Sequence, residues 1–442
     1  MPIKQKIKQK LKRMYDTGAL HITLGTFATK FVAFFGSIVV VRLLSKADKG
    51  VMDYVENIYS YAFIIAGLGL SYGTLRYLII NEDVLDKKRF FQYIIRRSIV
   101  IDTLIAIGMI VLSFFIRIPK NFSDAKLLIP IVALLLPFQD LLNEMLYTLR
   151  AFFKNKLYAY LAVGSSVILI VGRVVGALTY GVDGVLLSRL YLNLPMAILL
   201  ILFVRRAMFP KDPVDGLTKE EKRAVNRYSF QYMVTNGFWA LFMLNDTFLL
   251  GEILNDPAIL ADYKAAYLLP GNISIFATAI GVFVGPYFTK NEKNPDWVRR
   301  NFKKVYLLSA VVVGCVAGMI GLLAKPLVLF MYGKEYLNII SLMWVLLLAA
   351  FINSGLRFTT ANVLASMGEV RYNMIVSGVG IALQFGLDVF LIPRMGVMAV
   401  AVSNCFVCLL MAAVLFVIFY KKYYAGRKTE NVAETADSPR ED

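Results

Sequence analysis

Charged side chains stand where the chain is otherwise apolar: the cations Lys30, Arg42, Arg76, Arg173, Arg189 and Arg357, and the carboxylates Asp53, Glu56, Asp102, Asp140, Glu144, Asp246 and Asp388. At the centre of a lipid-facing helix each would cost about 2.5 to 3.5 kcal/mol, so those near mid-helix must face a bundle interior or water. Two kinds of chemistry follow. The two sets can pair within the protein, or they can line a polar path that neutralises an anionic solute. Arg42, Arg76 and Arg189 fall near helix ends, where a long side chain reaches the interface with its stem in lipid. Lys30, Arg173 and Arg357 are deeper. Asp140 and Glu144, at i and i+4, share one face of a helix.

Other chemistry is excluded cheaply. No GxxxxGK[ST] run exists, so the chain carries no P-loop for an ATP-driven pump. His21 is the only histidine, which removes HExxH zinc sites. Gly69-Leu70-Ser71-Tyr72-Gly73 matches GxSxG, but inside an apolar span it reads as close helix packing by small residues. Gly172-x-x-x-Gly176, Gly281-x-x-x-Gly285 and Gly314-x-x-x-Gly318 read the same way. Cys315, Cys405 and Cys408 lack metal-ligand spacing and are expected to be packing residues. The chain is not expected to be an enzyme, and no cofactor or metal is called for.

The elements that must position these groups are membrane spans. Of 442 residues, 58% are hydrophobic and only 18% charged, and the mean hydropathy is +0.63. A disordered chain, a disulfide scaffold and an outer-membrane barrel are all excluded by that composition and by the long apolar runs. Stretches of about 20 apolar residues run approximately from 18 to 43, 52 to 79, 95 to 117, 127 to 149, 158 to 180, 185 to 204, 229 to 251, 263 to 289, 305 to 325, 338 to 365, 372 to 392 and 397 to 420. The fold class is therefore all-α integral membrane, with about 12 transmembrane helices. Most of the 48 Lys and Arg fall in loops on the side of the N-terminus, which places both termini in the cytoplasm. That asymmetry accounts for the net charge of +18 and leaves no need for a nucleic-acid partner. The first residues lack the core of a signal peptide; Ile3, Ile7, Leu11 and Met14 recur at helical spacing among lysines, as in a helix lying on an anionic leaflet.

The stretch from Lys156 to Arg206 lies over Arg371 to Lys421 without a gap, so that Gly181-Val182 meets Gly396-Val397. Asp48 to Tyr54 similarly matches Ala261 to Tyr267. Two parallel six-helix repeats result, with a substrate path expected between them. The domains are a basic amphipathic cytoplasmic segment (1–16), an N-terminal lobe (17–205), a cytoplasmic linker (206–227), a C-terminal lobe (228–422) and a disordered cytoplasmic tail (423–442). Pro130, Pro137, Pro195, Pro270 and Pro286 break helical hydrogen bonding within spans, and Gly67, Gly69 and Gly73 loosen the second; Pro270-Gly271 is the sharpest such site in the second half.

The opening hairpin, with Gly25, Val41-Arg42-Leu43-Leu44-Ser45 and Asp48 to Tyr54, resembles the start of the polysaccharide transporter family, the O-antigen and exopolysaccharide flippases. Asp246 before Leu249-Leu250-Gly251, then Tyr263, Tyr332 to Tyr336, and Ala365-Ser366-Met367-Gly368 extend the resemblance along nearly the whole chain. It implies a V-shaped cavity lined by helices one, two, seven and eight, with a lipid entering sideways. It also implies an undecaprenyl-pyrophosphate-linked oligosaccharide as substrate, flipped by alternating access across the bacterial inner membrane, with membrane lipids and polysaccharide polymerase machinery as partners. Lys30, Arg42 and Arg76 are then candidates for the pyrophosphate, while Arg173 and Arg357 are candidate substrate contacts outside those four helices. Asp53, Glu56 and Asp246 are candidates for gating or for coupling to H+ or Na+. The alternative is a cation-coupled multidrug antiporter of the same superfamily, which would want an acidic or aromatic lumen.

Overall fold

A computed structural model describes residues 19–425, and the expected N-terminal basic segment and most of the tail lie outside them. Every regular element among the described residues is helical. Helix α1 (Ala19–Leu43) turns into α2 (Lys46–Ile64) at Ser45, whose hydroxyl accepts the Asp48 N–H at 3.1 Å and caps the new helix. A short 3-10 turn (Ala66–Gly69) separates α2 from α3 (Leu70–Ile80). Then follow α4 (Val84–Phe115), capped by Asp83, α5 (Ala125–Ala151), α6 (Asn155–Met208) and α7 (Lys219–Leu254). The remainder comprises α8 (Pro257–Asn272), α9 (Ser274–Lys290), α10 (Pro295–Leu322), α11 (Ala324–Met331), α12 (Ile340–Ala350), α13 (Phe358–Ser366), α14 (Val370–Met395) and α15 (Met398–Tyr420).

Nine candidate spans among the described residues are long and apolar enough to cross a bilayer, so this is a multi-pass membrane protein. One of them, α6, has 54 residues. At about 1.5 Å per residue it would be far longer than about 30 Å of hydrocarbon. It folds back on itself at Gly181, where φ is 58° and ψ −132°. Gly176 and Gly184 meet across that bend, and a Cβ on either would fall within 2.2 Å of the other's carbonyl oxygen. The expected seventh and eighth spans correspond to α7 and to the α8 and α9 pair, which are helical without being among the nine. The matching Gly396 after α14 has φ 60° and ψ −143°, so the two halves of the repeat make the same turn with the same glycine. An L side chain avoids that region, and only glycine enters it freely.

The chain divides into two compact units, Met1–Leu244 with Asn255–Ala258, and Asn245–Leu254 with Ile259–Asp442. In the first, Phe90, Phe91, Ile94 and Ile95 of α4 pack on Leu141, Leu142, Met145 and Leu149 of α5, with Leu70 and Leu78 of α3 and Val225 of α7. These positions recur every three or four residues, as one buried helix face requires. In the second, Phe302 stacks on Phe419 at 3.8 Å between ring centroids, beside Phe288, Leu364 and Leu415. Large apolar side chains such as Phe115 and Leu322 stay exposed, as lipid contact allows. Cys315 is also exposed, against the expectation of packing; its place on an apolar helix left either face open to it.

Candidate functional site

In the first unit the second span is broken. Gly67, Leu68 and Gly69 all take positive φ, at 51°, 48° and 75°. The break frees backbone groups, and the Gly67 N–H donates to Asp102 Oδ1 at 2.6 Å. A Cβ on Gly67 would sit 2.6 Å from Ser98 Oγ and 2.9 Å from Asp140 Oδ2, so the peptide rests directly on a polar cluster from α4 and α5. Beyond the break, Gly69 and Gly73 approach Ser229 of α7, with their would-be Cβ atoms 2.5 Å from its carbonyl oxygen and 2.6 Å from its hydroxyl. The GxSxG match is thus close packing, and Ser71 between them faces a cavity.

The cluster below the break is acidic. Ser98 Oγ lies 2.9 Å from Asp140 Oδ2 and 3.3 Å from Asp102 Oδ2. A hydroxyl has one proton and can donate to only one of them at a time. Glu144, one turn from Asp140 on the same face, is fully buried, and neither of its oxygens is hydrogen-bonded. No salt bridge reaches these three carboxyl groups among the described residues, so pairing within the lobe does not explain them.

A cavity of about 360 Å³ adjoins this cluster. Tyr59, Ser60, Ser71, Tyr72, Asp140, Asn143 and Tyr147 supply its polar lining, and Phe63, Ile64, Met233 and Leu244 its apolar wall. A second cavity, of about 580 Å³, lies at Leu68 and Leu70 and is lined by Arg97 of α4 and by Lys219, Lys222, Arg223, Asn226 and Arg227 of α7.

The residues singled out from sequence are distributed differently. Glu56 Oε1 accepts from Arg173 at 3.0 Å and from Arg189 at 3.1 Å, so one carboxylate ties both limbs of α6 to α2. Asp53 pairs with Lys49. Arg76 is exposed, its guanidinium 4.7 Å from the centre of the Tyr228 ring. Lys30 and Arg42 are exposed on α1. None of these lines either cavity. Arg357 is buried in a π-helical turn (Phe351–Arg357), with its Nε donating to Asn353 Oδ1 at 2.6 Å. Asp246 is buried in the second unit, where the Tyr263 hydroxyl donates to it at 2.8 Å. Asp388 is also buried in the second unit, accepting from Ser403 and, at 3.2 Å, from Gln384.

Glu56→Gln should therefore destabilise the first unit by about 1 to 3 kcal/mol, because two partly buried guanidinium groups lose a charged acceptor. Thermal unfolding of the detergent-purified protein measures this, with Glu56→Asp expected to retain part of the stability. An unchanged midpoint for Glu56→Gln would show that the two ion pairs contribute nothing.

Sequence reasoning passed over the basic face of α7. Lys219, Lys222, Arg223, Asn226, Arg227 and Phe230 recur at helical spacing, a signal present in the chain but absorbed into the general excess of positive loops.

The described residues thus form a helical membrane bundle with polar cavities within its first unit. The chain belongs to the polysaccharide biosynthesis protein family, which matches residues 39–341. Among solved structures, it is similar to lipid II flippase MurJ in an inward closed conformation, with a TM-score of 0.68 and 15% identity over 95% of this chain and 93% of that one. An inward-facing multidrug resistance MATE family transporter of the MOP superfamily matches with a TM-score of 0.66 and 14% identity, over 91% of this chain and 96% of that one. No curated protein sequence matches the chain.

Proposed function

We propose that the protein is a flippase that carries an undecaprenyl-pyrophosphate-linked oligosaccharide from the cytoplasmic to the outer leaflet of a bacterial inner membrane, with both termini in the cytoplasm. The observation that carries this reading is the lining of the 360 Å³ cavity. Tyrosine faces suit the C–H surfaces of sugar rings, while serine hydroxyls, Asn143 and Asp140 offer both donors and acceptors to sugar hydroxyls. Membership of a polysaccharide biosynthesis family supports the same substrate class. Sugars cannot cross hydrocarbon unaided, whereas a polyprenyl tail can remain in it, so a polar path for the head is all the protein need supply. Alternating access, with Asp246 and Asp388 as the place where H+ or Na+ would couple, completes the reading, and the polymerase machinery would take up the product.

One observation favours the alternative of a cation-coupled multidrug antiporter. The same cavity sets Asp140 among Tyr59, Tyr72 and Tyr147, a combination that attracts an organic cation. Proteoliposomes containing the full chain separate the two readings. The flippase reading expects transfer of a labelled polyprenyl-diphosphate glycan between leaflets and its retention by the purified protein in native mass spectrometry. Export of a cationic dye, with neither glycan-lipid binding nor transfer, would overturn it.

A further inference from the structure

The second cavity has a composition that the sugar-binding reading does not use. Arg97, Lys219, Lys222, Arg223 and Arg227 converge on it, and none of the five forms an ion pair among the described residues. Glu221, in the first turn of α7, is committed elsewhere. It accepts from Arg89 at 3.1 Å and from the Thr218 N–H at 2.7 Å, closing a capping box at the start of the helix. The α7 cations stand at i, i+3, i+4 and i+8, on one helix face, where like charges repel.

Their position is fixed by the neighbouring helix. Along α4, Arg89, Tyr93 and Arg97 follow at intervals of one turn. The first bonds Glu221, the second exchanges hydrogen bonds with Asn226 at 2.9 and 3.2 Å, and the third thereby reaches the cavity. Leu68, Leu70 and Phe230 complete the wall with apolar surface. A cleft lined by charge of one sign against low-dielectric walls concentrates its field on an anion.

We propose that this cavity binds the phosphate or diphosphate ester of a lipid, as a docking site separate from the sugar cavity across the broken second span. The volume of about 580 Å³ exceeds what a single phosphate needs and accommodates a diphosphate with its flanking groups. The inference rests on the flippase reading for its preferred ligand, the diphosphate of the substrate; a phospholipid headgroup carries the same chemistry.

The full chain in phosphatidylcholine nanodiscs, titrated with geranylgeranyl diphosphate, tests the site. Binding should be saturable and salt-sensitive, and the triple variant Lys222→Gln, Arg223→Gln, Arg227→Gln should weaken it at least tenfold with the melting temperature unchanged. Adding phosphatidylglycerol to the nanodiscs identifies the source. Diphosphate binding that wild type retains in phosphatidylglycerol assigns the site to the substrate, and its loss from wild type there assigns the site to phospholipid. Equal affinity of wild type and triple variant, or no binding by either, would overturn the site. Glycan-lipid transfer measured alongside keeps the two proposals apart: transfer with an ineffective triple variant sinks only this site, whereas dye export with intact diphosphate binding sinks only the flippase reading.

Discussion

Gly67→Ala should leave little folded, transport-competent protein, while Gly108→Ala, in the following span, should behave as wild type. The added methyl group at Gly67 meets two separate penalties. Its φ of 51° lies in the left-handed region, where a Cβ costs about 1 to 2 kcal/mol. The methyl would also fall 2.6 Å from Ser98 Oγ and 2.9 Å from Asp140 Oδ2, so that either the peptide or the cluster must move. Movement of the peptide breaks the 2.6 Å bond from the Gly67 N–H to Asp102, and leaving a buried donor and acceptor unpaired costs about 1 to 3 kcal/mol. The sum, roughly 2 to 5 kcal/mol, is a large fraction of what holds a domain folded. At Gly108 a Cβ meets nothing within 4 Å. Thermal unfolding in detergent and glycan-lipid transfer measure both effects, and Gly67→Ala combined with Ser98→Gly should recover part of the loss by removing the nearest clash. Matching melting temperatures for the two single variants would show that the break tolerates a side chain.

Gly67, Gly69 and Gly73 could be read in the sequence as a loosened second helix because glycine acts locally, through its own backbone freedom. The paired turns at Gly181 and Gly396 were legible for the same reason, since a repeat without gaps carries its turn residue with it. The partners of the intramembrane charges were not. Glu56 meets Arg173 and Arg189, which lie 117 and 133 residues away. No helical period within α2 states which helix will lie opposite, because that depends on packing among several spans. Asp140 and Glu144 could be placed on one face by spacing alone, but their lack of a cation depends on α4 bringing Ser98 and Asp102 instead. The basic cavity was hidden by a correct generalisation. Positive residues at loop ends do set topology, and only the direction of α7 shows that Lys219, Lys222, Arg223 and Arg227 also converge.

An applied membrane potential, negative on the cytoplasmic side, should by itself drive outward transfer of the glycan-lipid in sodium-free vesicles with equal pH on both sides. A diphosphate head carries about two negative charges, and each gains about 2.3 kcal/mol per 100 mV on leaving a negative compartment. The total is about 4.6 kcal/mol per 100 mV, or about three orders of magnitude in the outer-to-inner ratio at equilibrium. Arg97, Lys222, Arg223 and Arg227 remain with the protein, so they can lower the barrier by replacing hydration without cancelling the charge that crosses. A sodium ion or proton travelling outward with the head would cancel part of it and shrink the response in proportion. The comparison that isolates the head's charge is a polyprenyl glycoside lacking phosphate, which should be indifferent to the potential. Transfer that ignores the clamp but follows a sodium or proton gradient would reject potential-driven export and move the driving force to the ion, with Asp246→Asn then expected to remove that gradient dependence.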